Sequence, residues 1–174
     1  MPVIRQIAQL GNPVLRDTAA VVATCDDRIR ILADDMLATA AYANGVGLAA
    51  PQVFEPLRML LMASRPNPRY PSAPDLPPAL LINPELLWSS DDREYGWEGC
   101  LSIPAMRGLV SRHRKVGVRF LSLAGEVQEV EYEGFPARIF QHEYDHLNGL
   151  LYVDRLESMH DLVTEMEFLR HHAK

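Results

Sequence analysis

Two histidines and a cysteine in the second half of the chain have the types and spacing of metal ligands. His142-Glu143-Tyr144-Asp145-His146 is an H-E-x-x-H motif, whose histidines would share one face of a helix because they are four residues apart. Glu143 would then lie beside the metal ion, where a carboxylate can take a proton from water. Cys100 could supply a thiolate as the third ligand. Three such ligands leave a tetrahedral ion one open position, which is typical of a catalytic metal site.

The third ligand decides which class of metal hydrolase the motif indicates. One class of zinc proteases places an acidic ligand about twenty residues after the motif, on another helix. Glu165 and Glu167 lie near that spacing, in a charged segment where a solvent-exposed helix face is the simpler interpretation. His160 lies too far along the chain for the extended motif with a third histidine. Cys100 and the two glutamates are therefore competing predictions.

Length and charge exclude several other classes of protein. A chain of 174 residues predicts one domain, spanning residues 1–174. Its net charge of −6 argues against a general nucleic-acid binder, and the basic run 112–115 is expected to be a solvent-exposed strand end. No apolar run approaches the roughly 20 residues of a membrane span, and no signal-peptide pattern opens the chain. Two cysteines exclude a disulfide framework, and we expect Cys25 to be a plain structural or surface thiol.

Three helices are predicted from apolar spacing and capping residues. The first carries an apolar stripe, can be capped by one of three polar residues and ends at Asn44-Gly45. The stripe consists of Ile29, Leu32, Met36, Leu37 and Ala40, and the alternative caps are Thr24, Asp26 and Asp27. The second helix begins near Pro136, carries the histidine motif and ends at Asn148-Gly149. A final amphipathic helix runs from about Ser158 to Arg170.

Strands are predicted over residues 58–63, 80–82 and 86–88, followed by a β-hairpin with strands 116–123 and 127–132. The proline-rich residues 64–78 should form a loop, and Cys100 should lie in a turn-rich segment, 96–102. Because the strands precede the histidine helix, we expect an α+β fold with an antiparallel sheet packed on that helix.

Three segments closely resemble the signature motifs of the peptide deformylase family and occur in the family's order. They are Gly45-Val46-Gly47-Leu48-Ala49-Ala50-Pro51-Gln52, Glu98-Gly99-Cys100-Leu101-Ser102 and Gln141-His142-Glu143-Tyr144-Asp145-His146. Residues 12–16 and the hairpin also resemble family features, so the resemblance spans nearly the whole chain. It implies antiparallel sheets around a central helix that carries the metal motif, with a further C-terminal helix.

The resemblance implies a hydrolase that removes the N-formyl group from N-formylmethionine of nascent polypeptides and releases formate. By resemblance, the metal ligands are Cys100, His142 and His146, and water on the metal attacks the formyl carbon with Glu143 as general base and acid. The Gln52 side chain and the Leu101 backbone N–H would donate to the developing oxyanion. Fe(II) is the expected metal in vivo, and Zn(II), Ni(II) or Co(II) could also occupy the site.

Substrate-binding residues are also implied by the resemblance. Gly45 and Gly47 would let the peptide backbone approach and pair in strand fashion, although Gly45 could instead end a helix. The methionine pocket would be lined by Val46, Leu101, Phe135, Ile139 and the ring of His142. Phe135 and Ile139 also fit a plain core. Arg138 and Trp97 depart from residues found in some family members, which affects the expected pocket shape.

Charged residues near the proposed ligands could support them, and the resemblance also implies binding partners. Glu98 could pair with Arg107 or Arg112 behind Cys100, and Asp145 could accept a proton from a histidine ring or lie in solvent. The resemblance implies nascent peptides as substrates, a ribosome contact and a bacterial cytoplasmic location, and the basic end of segment 162–174 could make that contact. The competing functions are a zinc peptidase that uses Glu165 or Glu167, and a catalytically silent binding protein.

Overall fold

A computed structural model describes residues 1–173. The helices are α1 (Asp27–Tyr42), α2 (Phe135–Leu147) and α3 (Glu165–His171). The strands are β1 (Gly47–Ala49), β2 (Met59–Met62), β3 (Ala79–Ser89), β4 (Arg93–Cys100), β5 (Ile103–His113), β6 (Lys115–Leu121), β7 (Val127–Glu133) and β8 (Leu162–Thr164). None of the helices in this part of the chain is long and apolar enough to cross a bilayer.

The fold is α+β, as predicted, with two antiparallel sheets that meet at α2. The first sheet has the strand order β1-β2-β3-β6-β7 and the second has the order β4-β5-β8. Helix α2 packs against strands of both sheets, and its apolar residues Ala137, Ile139, Phe140 and Leu147 lie in one hydrophobic core cluster. The metal motif is therefore carried by the element that joins the two sheets.

Helix α1 forms where the apolar stripe predicts it. Asp26 is the N-cap, and its carboxylate accepts a hydrogen bond from the Ile29 N–H at 3.1 Å. The stripe is buried except for Leu37, which is 38% exposed. The helix ends as Asn44 adopts a left-handed conformation (φ 53°) and the Gly45 N–H donates to the Ala40 carbonyl.

The two short strands predicted around Asn83-Pro84 are one continuous strand, β3. Asn83 takes a positive φ of 49°, and the pairing with β6 shifts register between Ile82 and Glu85. This bulge admits a proline inside a sheet strand. The Asn83 side chain also bonds both backbone groups of Val22, so the bulge anchors the segment that precedes α1. The hairpin β6–β7 and the 64–78 loop agree with prediction.

The prediction of a turn-rich segment over 96–102 is wrong for residues 96–100, which belong to strand β4 and pair with β5 along most of the strand. Leu101 and Ser102 form the turn between the two strands, as predicted. The glycines of this hairpin make room for large side chains rather than turns. Gly96 faces Arg138, Gly99 faces Arg107 and Gly108 faces the Tyr152 ring. From sequence these glycines indicated turns, whereas in the fold they allow large side chains to pack against the strands.

The basic run 112–115 and the C-terminal helix also differ from expectation. Arg112 is only 4% exposed and forms ion pairs inside the protein, whereas Arg114 and Lys115 are exposed as predicted. The predicted helix 158–170 is shorter, because residues 162–164 form β8 on the edge of β5. Thr164 then caps α3 by accepting a hydrogen bond from the Glu167 N–H.

Candidate metal centre

Cys100, His142 and His146 lie together at the contact between β4 and α2. One ligand atom from each residue lies within 4.8 Å of the others, and all three side chains are buried. The two histidines face the same way because they are one helical turn apart. A register shift between Glu98 and Cys100 marks a bulge at the end of β4, and a bulge re-aims the side chains beside it. The Cys100 Sγ lies 3.3 Å from His146 Nε2.

The electrostatics of the cluster favour a thiolate. Burial acts to raise the pKa of Cys100, but attraction to His146 and hydrogen bonds with both histidines hold that pKa well below its ordinary value. Burial acts to lower the pKa of His142, but hydrogen bonds with Cys100 and Glu98 raise it well above the ordinary value. The thiolate is the form in which cysteine binds metal ions, so a cysteine that ionises readily between two imidazoles is suited to be a ligand.

Glu98 is the carboxylate that orients the ligand His142. Its Oε2 accepts a hydrogen bond from His142 Nδ1 at 2.9 Å, which leaves Nε2 to face the thiolate. Arg112 donates to both oxygens of Glu98, at 2.9 and 3.0 Å. Burial would raise the pKa of Glu98, but the charge of Arg112 and the His142 contact lower it well below its usual range. Of the two predicted partners of Glu98, the structure has Arg112; Arg107 pairs with Glu165 instead.

Asp145 does not contact a ligand histidine, so its predicted role in orienting a ring is wrong. It accepts hydrogen bonds from Arg112 at 2.6 Å and from Arg155 at 2.7 Å. Its carboxylate is buried against these two arginines, so the alternative prediction of a solvent-exposed acid is wrong as well. Arg112 thus joins two buried carboxylates, and Asp145 supports the cluster through Arg112.

Glu143 lies beside the three ligands and has an unpaired oxygen. Its side chain is buried, and Oε2 has no hydrogen-bond partner among residues 1–173. Burial raises the pKa of Glu143 to about 7, although His142 and His146 act in the opposite direction. The backbone of Gly47 packs against this carboxylate so closely that any side chain there would overlap it. A buried carboxyl group that titrates near neutrality is suited to proton transfer.

The Gln52 amide has a fixed orientation. Its Oε1 accepts a hydrogen bond from the Ala49 N–H at 2.8 Å, so the NH₂ group must point the other way. That group lies 3.1 Å from Ser102 Oγ and 3.5 Å from Cys100 Sγ. Leu101, which follows Cys100, lines the same pocket. Ser102 belongs to the second signature motif, but no role in the site was predicted for it. Its position two residues after Cys100 was the available signal.

The expected substrate-binding residues line one pocket next to the ligand cluster. It includes Gly45, Val46, Gly47, Leu101, Phe135, Ile139 and His142. Ile139 is 3% exposed and belongs to the core cluster, so it serves both packing and the pocket. Gly47 provides space for Glu143, whereas an added methyl group on Gly45 would lie 3.0 Å from the Leu101 side chain.

Tyr70, from the proline-rich loop, was not predicted as part of this site. Its hydroxyl accepts a hydrogen bond from the Gly99 N–H at 3.1 Å and lies 3.3 Å from the Gly99 carbonyl. Its ring packs on Phe135 with the centroids 5.6 Å apart. Nothing in the spacing of the loop residues indicated this contact, because it joins segments about thirty residues apart in the chain.

The two acidic residues that competed as a third metal ligand lie away from the cluster. Glu165 forms a bidentate ion pair with the buried Arg107, at 2.7 and 2.8 Å. Glu167 pairs with Arg170 on the exposed face of α3. Within residues 1–173, the ligand group that contains His142 and His146 is completed by Cys100. The geometry therefore argues against the zinc peptidase with a glutamate ligand.

The donors present fit a divalent metal ion. One thiol and two imidazoles suit Zn(II), Fe(II), Co(II) or Ni(II). The Tyr152 ring stacks on the His142 ring, with centroids 6.0 Å apart, and Glu98 accepts a hydrogen bond from His142 Nδ1. Such outer contacts are typical of metal-binding histidines.

Comparisons with known proteins agree on one family. The polypeptide deformylase family model matches residues 4–161. Peptide deformylase 2 of a Nostoc species is 49% identical over 168 residues, which cover 96% of this chain and 94% of that protein. The Met-Ala-Ser-bound class I type b peptide deformylase from Acinetobacter baumannii is 47% identical with a TM-score of 0.87, covering 90% of this chain and all of that one. The Synechococcus elongatus peptide deformylase in complex with actinonin is 37% identical with a TM-score of 0.81, covering 92% of this chain and 85% of that one.

Proposed function

The chain belongs to the polypeptide deformylase family, and from this premise we propose which of its residues carry out the family's reaction. Its activity is the metal-dependent hydrolytic removal of the N-formyl group from nascent peptides. We propose that Cys100, His142 and His146 hold the metal ion. The observation that carries this proposal is the buried cluster of their three ligand atoms, with the Glu143 carboxylate beside it.

When bound, a divalent ion supplies a Lewis acid that also acidifies water. The proton that water loses goes to Glu143, because its Oε2 has no hydrogen-bond partner within residues 1–173 and its pKa near 7 allows both uptake and return. Glu143 then returns the proton to the amide nitrogen of methionine, because an amine leaves only when it is protonated. The products are formate and a peptide with a free amino terminus.

Stabilisation of charge on the formyl oxygen falls to Gln52 and Leu101. The Gln52 NH₂ group already faces the ligand cluster, since Ala49 holds its Oε1 on the opposite side. The Leu101 backbone N–H is the proposed second donor. Loss of one such donor costs on the order of 10²–10³ in rate.

Peptide substrates enter the pocket beside this cluster. We propose that Gly45, Val46 and Gly47 pair with the peptide backbone, and that Phe135 and Ile139 contact the methionine side chain. The Acinetobacter relative binds Met-Ala-Ser, a peptide of the kind that such a site would release.

The extent of the catalytic domain and the identity of the metal are also proposals. We propose one catalytic domain over residues 1–174, because the family model matches most of it. Fe(II) is the proposed metal in vivo, since thiolate and imidazole ligands suit it. Metal analysis of protein purified without oxygen tests this choice.

We also propose a ribosome contact, which the nascent-peptide substrate supports, and a bacterial cytoplasmic location, which the bacterial relatives support. Two charged residues of the tail already have partners, since Arg170 pairs with Glu167 and Glu165 pairs with Arg107 of β5. Lys174 lies outside the described residues. Co-sedimentation with ribosomes before and after deletion of residues 172–174 tests the tail.

The two cysteines provide a matched test of the metal ligands. Cys100→Ser should bind less than a tenth of the metal held by the native chain and should lose deformylation, because a neutral hydroxyl is a poor ligand. Cys25→Ser should keep both properties, because Cys25 is half-buried and remote from the cluster. Full metal binding by folded Cys100→Ser would refute the proposed ligand set and return Glu165 and Glu167 to consideration.

A further inference from the structure

Arg138 is a buried arginine on the ligand-bearing face of α2. It lies one helical turn before His142 and is 6% exposed. The sequence indicated it only as a departure within the methionine pocket, which it does line. Its guanidinium, however, extends across to the β4–β5 hairpin and donates to four acceptors there.

We propose that Arg138 is a positioning residue that holds β4, and with it Cys100, in a fixed position against the two histidines of α2. This inference rests on the proposed metal ligands. Three of the acceptors are backbone carbonyls, those of Glu94 at 2.8 Å, Val110 at 2.9 Å and Gly96 at 3.4 Å. The fourth is Glu98 Oε1 at 2.9 Å. A single side chain of α2 thus bonds both strands of the β4–β5 hairpin, and the first of these strands ends at Cys100.

The contact with Glu98 extends this role to a ligand histidine. Glu98 Oε1 accepts from Arg138 and Arg112, while Oε2 accepts from Arg112 and His142. With both oxygens held from two directions, the carboxylate cannot rotate away from the His142 ring. Arg138 therefore acts on Cys100 through the β4 backbone and on His142 through Glu98.

Gly96 is the partner that permits this arrangement. A methyl group on Gly96 would lie 2.7 Å from Arg138 Cζ and 2.9 Å from its Nε. The guanidinium must therefore lie flat against the strand at this residue. An alanine there would displace the guanidinium without removing any ionisable side chain of the network, so Gly96 tests the role of Arg138 independently.

A purely structural arginine would affect unfolding but not the metal site. Two measurements on Co(II)-loaded protein separate these roles. The thiolate-to-cobalt absorption band and the visible bands of Co(II) report the geometry of the ligands. The rate of Co(II) transfer to a chelator reports how firmly the site holds the ion. Thermal melting, measured alongside, reports stability.

We expect Arg138→Met to release Co(II) about 10-fold faster than the native chain and to change the visible bands, since loss of outer contacts typically costs 10–100-fold in metal affinity. Arg138→Lys, which keeps the charge but not the fork of donors, should fall between the two. Arg155→Met is the matched control. Arg155 also pairs with a carboxylate of α2, but on the side of Asp145, and should change release less than about twofold.

Gly96→Ala should also accelerate release, and its effect should largely disappear in the Arg138→Met background. Native release rates and spectra in a folded Arg138→Met protein would overturn the proposal. If that variant does not fold, native behaviour of Gly96→Ala overturns it. Absence of a thiolate band in the native Co(II) protein would instead refute Cys100 as a ligand, so the two failures are distinguishable.

Discussion

The backbone of Gly47 lies directly against the carboxylate of Glu143, with no space for a side chain between them. Gly47→Ala should therefore displace Glu143 and lower kcat/KM for deformylation by roughly 10²-fold or more, which is the range for loss of general acid–base catalysis. Metal content should remain native. Gly45→Ala should cost less, because its added methyl would lie 3.0 Å from the end of the Leu101 side chain and 3.3 Å from the Gly47 carbonyl oxygen but would not meet Glu143. Equal losses in the two variants would contradict the assignment of Gly47 to Glu143.

Gln52 should contribute to the transition state rather than to folding alone. Gln52→Leu removes the donor and should lower kcat by about 10²–10³-fold, with a smaller change in KM. Ser102→Ala serves as the comparison, because Ser102 contacts the Gln52 amide but is not a proposed donor to substrate. Its loss of kcat should be at least tenfold smaller than that of Gln52→Leu. A change confined to KM in Gln52→Leu would exclude the proposed role.

Loss of Arg112 should destabilise the fold far more than loss of Arg170. It is buried and bonds both Glu98 and Asp145, so Arg112→Met leaves two buried carboxylates short of a partner. We expect a loss of about 3–5 kcal/mol in the free energy of unfolding, measured by urea denaturation. Arg170→Met should change it by less than about 1 kcal/mol, since that pair with Glu167 is exposed. Similar values for the two variants would contradict this account.

Asp35 should make stability depend on pH in the acidic range. Its carboxylate accepts hydrogen bonds from the Val3 N–H at 2.7 Å and from Arg5 at 2.9 Å, and these contacts hold its pKa below the ordinary value despite burial. Because the folded pKa is lowered, the stabilisation is fully present above the unfolded pKa of about 4 and is lost as pH falls below it. Asp35→Asn should therefore lose less stability than the native chain between pH 6 and pH 3. Parallel unfolding curves for the two proteins would refute the contribution.

Short-range patterns predicted the elements that carry the ligands but not the contacts that support them. The spacing of His142 and His146 required a helix, and α2 has both on one face. The glycines around Cys100 suggested turns, because sequence alone does not show that Gly96 faces Arg138 across the fold. The exposed character expected for Arg112 failed for the same reason, since its partners Glu98 and Asp145 are distant in the chain.

The secondary structure at the C-terminal end could also be predicted only in part from local sequence. Residues 162–164 have a helix-compatible pattern, but β5 offers an edge with which they pair. The pairing of Glu165 with Arg107, which removes it as a metal ligand, depends on that edge contact. Tertiary partners therefore decided what local propensity left open.

A metal ion held by Cys100, His142 and His146, together with Glu143, should remove formyl groups from peptides. The most direct measurement is release of formate from N-formyl-Met-Ala-Ser by anaerobically prepared Fe(II) or Ni(II) protein, beside its Glu143→Gln variant loaded to the same metal content. We predict one formate for each Met-Ala-Ser formed by the native chain, and a rate lower by roughly 10²–10⁴-fold in the variant. Absence of formate from fully metal-loaded native protein, or an equal rate in Glu143→Gln, would contradict the account.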